Sequence, residues 1–325
     1  MADAGAKPTR VYPCPGCGAS LTFDPATGGL LCRYCGHREE IPPAPGPIKE
    51  NPYNEYLQPK PEQLQQISDS ALDVNCSACG AAITFIGQEF SDVCPFCGTA
   101  IVVQPARSDP TIYPEALIAF RLSQAQATGF IAGWLKSRWF APSALKKFAS
   151  QETIQGVYLP FWTYDSATVS DYSGQRGVYY WVTETYSDTD ADGNPVVRTR
   201  EVQHTAWSAV SGRVSREFDD VLVAATRSVE QENLIKLQPW NLSALVRYNT
   251  AFLAGFKSQR YQVGLADGFS IAKEYMAEVI RGDAKEDIGG DEQQILRVDT
   301  EYSNITFKYV LLPVYVGAYR FNNKV

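Results

Sequence analysis

The sequence predicts an α+β fold in which two ribbons of four cysteines each precede an aromatic-rich antiparallel-sheet domain with packed helices. Two observations predict this class. The eight cysteines form four Cys-x-x-Cys-Gly motifs in the N-terminal third of the chain. After about residue 108, helical periodicity alternates with segments rich in β-branched and aromatic residues, and all six tryptophans lie there.

The cysteine motifs occur in two pairs, and fourteen residues separate the motifs within each pair. The second pair repeats the first at an offset of 62 residues. Zn²⁺ takes four ligands in a tetrahedron, and four thiolates fill it completely. The sequence therefore predicts zinc ribbons at 11–42 and 74–106 and two structural Zn²⁺ ions. Their ligands are Cys14, Cys17, Cys32 and Cys35 in the first ribbon and Cys76, Cys79, Cys94 and Cys97 in the second.

A glycine follows the second cysteine of every motif. Glycine fits a turn that needs a positive φ, and we expect its N–H to point back at a cysteine sulfur. A site of four cysteines has no open coordination position, so the metal would hold the fold and activate no water. A thioredoxin-like redox pair is an alternative, but that motif is normally a single pair beside a βαβ unit. Disulfides are another, although residues 1–10 lack the apolar segment of a secretory signal.

Amino-acid composition divides the remainder of the chain into a linker and a C-terminal domain. Residues 43–73 are a proline-rich linker, in which we expect a short helix over 61–72 that begins at Pro61. Residues 108–325 form the α+β domain. The segments 157–162 and 310–315 resemble each other, which indicates either a duplicated half-domain or chance similarity of apolar strands. Each segment contains a proline, which favours an edge strand or a bulge.

Three helices are predicted in this domain. Ser123 and Gln126 fit a capping box, and an apolar stripe of Ala127, Phe130, Ile131, Trp134 and Leu135 follows. A second helix begins at Pro142. A third is capped by Asp267, stops at Gly282 and turns Ala272, Tyr275, Met276, Val279 and Ile280 inward. Strands are predicted at 157–172, 177–186, 196–210 and 213–225. The segments 294–302 and 304–320 are predicted to form a hairpin that turns at Ser303 and Asn304.

Net charge and hydropathy limit the classes of partner and the cellular location that the sequence favours. The chain carries a net charge of −7, and the first 110 residues carry seven Lys/Arg and twelve Asp/Glu, a net −5. The second ribbon has no Lys or Arg, whereas nucleic-acid binding draws most of its affinity from cations that meet phosphates. No run of roughly 18 apolar residues is present, so we expect no membrane span in this chain. We expect a cytoplasmic protein.

Three smaller constellations have an ordinary and a functional interpretation. Residues 188–193 match the first half of a calcium loop, but Thr199 stands where a bidentate Glu is needed, and an acidic hairpin turn is the alternative. His204 fits a hydrogen-bonded sheet histidine better than a catalytic base, and His37 is expected on the ribbon surface. Lys136, Arg138, Lys146 and Lys147 are either a solvated helix face or a surface for an anionic partner, such as membrane headgroups or an acidic protein.

The order of the motifs is similar to that of a family of bacterial double zinc-ribbon proteins of unassigned activity. The segments that carry the resemblance are CPGCGASLTFDP, LLCRYCGHREEI, WLKSRWFAPSALKKF, GVYLPFWTYD and YVLLPVYVGAYRF. Members carry names such as transcription factor B-type zinc finger or primosomal helicase-like protein. The resemblance implies a non-catalytic adaptor with membrane-scaffold partners of the SPFH or phage-shock type, at the inner face of the membrane. No G-x-x-x-x-G-K-[ST] phosphate loop supports the helicase name.

The sequence therefore favours a non-catalytic, zinc-stabilised adaptor that binds protein partners. Nucleic-acid binding through the ribbons is the alternative. An enzymatic C-terminal domain is a third class. We do not expect an enzyme, because assigning all eight cysteines to zinc leaves no thiol nucleophile, and no catalytic set can be argued from spacing.

We predict two tightly bound zinc ions per chain, each with four sulfur ligands and no bound water. Elemental analysis of the purified protein measures the first number, and X-ray absorption at the zinc edge measures the second. Fewer than two ions, or an oxygen ligand on either, would contradict the assignment.

Since a ribbon of about 30 residues is too small for a sufficient core, we also expect a strong chelator to unfold residues 11–42 and 74–105 and to leave the rest folded.

Overall fold

The structure is a computed structural model that describes residues 12–65, 71–86, 91–102, 111–138 and 154–317. The predicted α+β class is confirmed, with far more strand than helix. The predicted helix at Pro142 and the predicted basic residues Lys146 and Lys147 lie outside the described residues.

Sixteen strands are named within the described residues, and three of them are much longer than the others. The N-terminal strands are β1 (Thr22–Asp24), β2 (Gly29–Leu31), β3 (Arg38–Glu39), β4 (Asn51–Pro52), β5 (Leu64–Gln65), β6 (Ala71–Asn75), β7 (Ala82–Ile86), β8 (Ser91–Val93) and β9 (Ala100–Val102). The remaining strands are β10 (Thr111–Ile112), β11 (Ala116–Leu117), β12 (Ile154–Thr189), β13 (Pro195–Ala224), β14 (Val246–Arg247), β15 (Lys257–Gln259) and β16 (Glu292–Gly317).

The described α-helices are few. They are α1 (Tyr53–Tyr56), α2 (Gln124–Ser137), α3 (Gln231–Ile235) and α4 (Leu265–Ile288). Short 3-10 turns lie at Pro61–Gln63, Leu242–Ala244 and Thr250–Leu253. No helix among the described residues is both long enough and apolar enough to cross a bilayer.

The largest sheet has nine strands and is mixed, which corrects the predicted antiparallel sheet. Its path is β14-β11-β16-β12-β15-β7-β6, with β13 paired to β12 and β4 paired to β16. β11 runs parallel to β16, and β12 runs parallel to β15. Parallel neighbours need long crossover connections. These pairs join residues about 100 and 200 positions apart, so local strand patterns could not reveal their direction.

Several predicted strands merge into longer ones. The four predicted segments between 157 and 225 are two strands, β12 and β13, joined by a turn at Asp190–Asn194. The predicted hairpin at Ser303 and Asn304 is wrong, because β16 continues through both residues. Asn304 adopts φ +51° within the strand. Asn tolerates this left-handed conformation, which a bulge uses as readily as a turn.

Two further local predictions are corrected. The predicted helix over 61–72 is a 3-10 turn of three residues, after which Leu64 and Gln65 pair with β10. The prolines Pro160 and Pro313 lie in β12 and β16, which are interior strands of the nine-stranded sheet and not edges. Proline only loses its own N–H, and the Pro160 carbonyl still accepts a hydrogen bond from the Ala225 N–H at 2.9 Å.

The chain forms two compact units. Unit 1 comprises Met1–Tyr164, Leu222–Ser270 and Thr306–Val325. Its core is rich in aromatic side chains, and Trp162, Tyr158 and Tyr309 are fully buried. Trp162 donates a hydrogen bond through Nε1 to the Val263 carbonyl at 2.9 Å. Buried aromatic side chains of this size contribute large apolar areas while their polar atoms find partners.

Unit 2 comprises Asp165–Val221 and Ile271–Ile305. Its core cluster contains Tyr172, Ala284 and Ile288, with Val210, Val214, Ile295 and Val298 packed against it. The Tyr172 hydroxyl donates to Asp287 at 2.5 Å. The unit therefore packs the C-terminal part of α4 on strand segments of β12, β13 and β16.

The helix predictions are partly confirmed. Ser123 caps α2 with the predicted capping box, and Ala127 and Leu135 are buried, but Phe130 and Trp134 are 65% and 56% exposed. α4 continues past the predicted stop at Gly282. Of its predicted inward residues, Ala272, Met276 and Ile280 are buried, whereas Tyr275 and Val279 are each 43% exposed. On both helices the buried stripe is narrower than the apolar pattern of the sequence, so some apolar residues of that pattern are exposed.

Two glycines of α4 should respond oppositely to alanine. In Gly268→Ala, the new Cβ would overlap the Tyr164 hydroxyl and lie 2.8 Å from Trp162 Cδ1, so we expect a net loss of about 1–2 kcal/mol. In Gly282→Ala, the Cβ would meet no atom within 4 Å, and helix propensity should add about 1 kcal/mol. Thermal unfolding followed by circular dichroism checks both. Equal effects of the two variants would contradict the described packing of Gly268.

Candidate metal centres

The first four-cysteine cluster brings together all four predicted ligands of the first motif pair. Cys14 and Cys32 are buried, and Cys17 and Cys35 are exposed. Cys14 Sγ lies 3.4 Å from Cys35 Sγ, and Cys17 Sγ lies 3.5 Å from Cys32 Sγ. All four sulfurs lie within 4.8 Å of one another. Each close contact joins the two motifs, so the strands between them fold the chain back on itself.

The second cluster has the same arrangement at the second motif pair. Cys76 Sγ lies 3.5 Å from Cys97 Sγ, and Cys79 Sγ lies 3.7 Å from Cys94 Sγ. Here Cys76, Cys94 and Cys97 are buried, and Cys79 alone of the four is exposed. The internal repeat seen in the sequence is therefore also a repeat in space.

The sulfur separations fit a tetrahedral metal. A Zn–S bond of about 2.3 Å places the sulfurs of a regular tetrahedron about 3.8 Å apart, close to the 3.4–3.7 Å observed. A disulfide needs an S–S distance of about 2.05 Å, and the eight cysteines are free. Both clusters could therefore hold a metal ion, and a set of four thiolates suits zinc.

The turn that follows each cysteine pair has the predicted glycine conformation. The glycines of the four motifs have φ between +67° and +78°. Their N–H groups donate to the carbonyl of the first cysteine of the motif, for example Gly18 to Cys14 at 2.8 Å. This corrects the expectation that these N–H groups point at a sulfur. Hydrogen bonds from the backbone N–H groups of Cys35 and Tyr34 instead reach Cys32 and lower the pKa of its thiol to about 6.

The cysteines of the first cluster lie outside the strands, next to a small sheet. β1, β2 and β3 form a three-stranded antiparallel sheet. Phe23 on β1 packs against Phe252 and Phe256, with ring centroids 5.3 and 6.3 Å away. The Phe23 N–H donates to the Ala254 carbonyl at 2.9 Å. The hydroxyls of Tyr12 and Thr250 also form a hydrogen bond at 2.5 Å, so this part of the chain contacts residues 250–256 of unit 1 through side chains and one backbone bond.

The second cluster is joined to the nine-stranded sheet through Cys76 and Cys79, which lie between β6 and β7, whereas Cys94 and Cys97 lie between β8 and β9 of a separate two-stranded sheet. β7 pairs with β15, and β6 pairs with β7 at the end of the sheet. Three of its cysteines belong to one hydrophobic cluster that also includes Ile83, Val157, Leu159, Phe161 and Val310. Cys76, Cys94 and Cys97 are therefore part of the main core of unit 1.

Polar anchors hold the second cluster in place. Arg260 forms an ion pair with Asp73 at 2.5 Å, and Asp73 also accepts a hydrogen bond from Thr84. Lys257 donates to the Val93 carbonyl at 3.1 Å, and Gln262 donates to the Gly80 carbonyl at 3.2 Å. These three anchors follow or belong to β15. Sequence reasoning missed them because they lie more than 160 positions from their partners and carry no motif.

The structure gives contacts for described residues of the other predicted constellations. His37 lies 3.2 Å from Glu39, and the His204 ring stacks on Tyr180. The Asp190 side chain accepts hydrogen bonds from two backbone N–H groups of its own turn, as an acidic turn residue does. Arg138 lies over the Trp134 ring at 5.1 Å.

These features define an α+β protein with two four-cysteine clusters near its N-terminus. Among curated proteins, the chain is similar to a Bacillus subtilis (strain 168) protein with the name "Uncharacterized protein YdjG". The two are 25% identical over 310 residues, which cover 95% of this chain and 83% of the relative. No protein-family model matches the chain, and no solved structure matches it. The similarity runs along nearly the whole chain, and the relative's name assigns no activity.

The structure revises the expected effect of metal loss. The second cluster shares its core with β12 and β16, so we expect Cys76→Ser to destabilise the main sheet of unit 1. We expect Cys14→Ser to affect mainly β1–β3 and residues 250–256. A loss of about 3 kcal/mol would lower the Tm by roughly 6–12 °C in a unit of this size.

Hydrogen exchange measured by mass spectrometry separates these two outcomes. Faster exchange at 157–161 should follow Cys76→Ser and not Cys14→Ser. Cys17→Ser and Cys79→Ser are matched exposed-ligand controls for the two sites. Identical exchange at 157–161 in the two buried-ligand variants would show that the clusters are equivalent.

Proposed function

We propose that this chain is a zinc-stabilised, non-catalytic adaptor that binds protein partners. In this proposal the two four-cysteine clusters are zinc ribbons, and each holds one structural Zn²⁺. The metal stiffens short hairpins that are too small to be stable alone. The ribbons and the aromatic domain then act as rigid binding surfaces, and no bond is made or broken.

The observation that carries the proposal is the closed donor set of both clusters. Four sulfurs surround each candidate metal position at 3.4–3.7 Å from their nearest partners. Such a set leaves no coordination position for water or substrate. A metal held in this way supports structure, and the second cluster, whose cysteines are in the core of unit 1, is the clearer example.

Charge favours a protein partner over nucleic acid. The second ribbon has no Lys or Arg, and the described residues of the first ribbon, 12–42, have two Arg against three Asp or Glu, a net −1. A nucleic-acid surface normally presents several cations to the phosphates. Nucleic-acid binding through the ribbons therefore stays the second candidate.

A cationic segment gives limited support to membrane-associated partners. Residues 116–138 contain Arg121, Lys136 and Arg138 and no Asp or Glu. Phe130 and Trp134 are exposed on α2 in the same segment. Exposed aromatic side chains beside cations suit an anionic surface. We propose on this basis, and on the family resemblance, that the partners include membrane-scaffold proteins and that the chain is cytoplasmic, in part at the inner face of the membrane.

Affinity capture of the intact, zinc-loaded protein from cytosolic and membrane fractions tests this function. We expect recovery of a membrane-scaffold protein from the membrane fraction. The double variant Cys14→Ser with Cys76→Ser should lose the partner if zinc-held surfaces make the contact. Recovery of polymerase or replisome subunits, or a salt-dependent shift of labelled DNA or RNA at micromolar protein, would favour the nucleic-acid alternative.

A further inference from the structure

The two predicted zinc ribbons, the first module (11–42) and the second module (74–106), differ in the environment of one equivalent aromatic residue. At the offset of 62 residues, Leu21 corresponds to Ile83 and Tyr34 corresponds to Phe96. Leu21 and Ile83 are both buried, at 3% and 0% exposure. Phe96 is 8% exposed, whereas Tyr34 is 86% exposed. The modules therefore agree at the base of the hairpin and differ at the aromatic residue between the last two cysteines.

The role of this aromatic residue is visible in the second module. Phe96 belongs to the hydrophobic cluster that includes Val157, Leu159 and Phe161 of the main sheet. The aromatic residue between Cys94 and Cys97 therefore packs into an apolar core that the rest of unit 1 forms. In the first module, the same position on the same turn has an aromatic side chain that unit 1 leaves in solvent.

Arg33 lies beside Tyr34 and is also exposed. Among the described residues, neither an ion pair nor a hydrogen bond engages the Arg33 side chain. Arg33 and Tyr34 line an open cleft of about 580 Å³ together with Cys17, Ala19, Ser20 and Thr22. Tyrosine and arginine are the residue types most enriched at binding hot spots, along with tryptophan. The four cysteines hold the backbone of this turn, so little conformational entropy is lost on binding.

We propose that Tyr34 and Arg33 form the docking tip of the first module, and that it binds a different protein that presents an apolar pocket with carboxylates at its rim. Tyr34 fills the pocket, as Phe96 does within unit 1. Arg33 pairs with a rim carboxylate. This inference rests on the proposed adaptor function and names the surface that performs it.

Charge argues against nucleic acid at this tip. Residues 12–42 carry a net −1, and Arg33 is the single cation between the last two cysteines. Tyrosine beside arginine can stack on an unpaired base, but phosphate binding needs more positive charge than this module carries. A carboxylate beside an apolar pocket matches one cation and one aromatic ring.

Site-specific crosslinking locates the contact. A photoreactive phenylalanine analogue replaces Tyr34 in the full-length, zinc-loaded protein, and the same analogue replaces the exposed Tyr275 on α4 as the control. After irradiation in native extract, the crosslinked peptide is sequenced by mass spectrometry. We expect a crosslink at position 34 to an apolar segment of another protein that contains Asp or Glu. A crosslink to a second copy of this chain, or to nucleic acid, would overturn the proposal.

Affinity for the crosslinked partner, once purified, tests the two side chains. We expect Tyr34→Ala to weaken binding at least 10-fold, Tyr34→Phe to keep it within about 2-fold, and Arg33→Glu to weaken it about 10-fold. Tyr275→Ala and Arg38→Glu make matching changes at other exposed positions and should bind normally. Zinc content and near-ultraviolet circular dichroism show whether each variant is folded. We expect the Tyr34 variants to fold, because the Tyr34 side chain is exposed.

The possible failures are distinguishable. A partner captured equally by the wild type and by Tyr34→Ala would contradict the docking tip but not the adaptor function. Partner binding lost only in Phe130→Ala would place the contact on α2 instead. If neither crosslinking nor affinity capture recovers a protein with any variant, both the docking tip and the adaptor function fail.

Discussion

The packing of the second cysteine cluster inside the main core is the constraint on which unit 1 depends. Four sulfurs must converge within 4.8 Å of one another, and three of them are buried in the cluster that joins β7, β12 and β16. Thiolates in such a place need a cation, because several buried negative charges without one would be very costly. A metal ion bound there would therefore stabilise the same structure as the apolar core.

The two modules show how a duplicated element can acquire different roles. Both have the same cysteine spacing and the same positive-φ glycines. The second module is bound to its surroundings by β-pairing with β15 and by Arg260, Lys257 and Gln262. The first contacts residues 250–256 through Phe23, its backbone N–H and the hydrogen bond between the hydroxyls of Tyr12 and Thr250. Among the described residues, the first module shares no strand pairing with the nine-stranded sheet, and Tyr34 stays exposed where Phe96 of the second module is buried.

Aromatic side chains of β12 position the beginning of α4. Trp162 and Tyr164 anchor β12 to the start of α4, through hydrogen bonds to the carbonyls of Val263 and Leu265 at 2.9 and 2.7 Å. Gly268 lets α4 lie against these rings, since a side chain there would overlap Tyr164. One glycine and two aromatic residues thus determine how closely the beginning of α4 approaches the sheet in unit 1.

Local chemistry was readable from the sequence, and long-range pairing was not. The α+β class, the cap of α2, the grouping of the eight cysteines and the conformation of their glycines all depend on neighbouring residues, so spacing alone predicted them. The parallel pairs of β11 with β16 and β12 with β15, the interior positions of Pro160 and Pro313, and the burial of Phe96 against the exposure of Tyr34 depend on contacts between distant segments. Two repeats of one motif differ in environment because the tertiary structure supplies a core to one of them and solvent to the other.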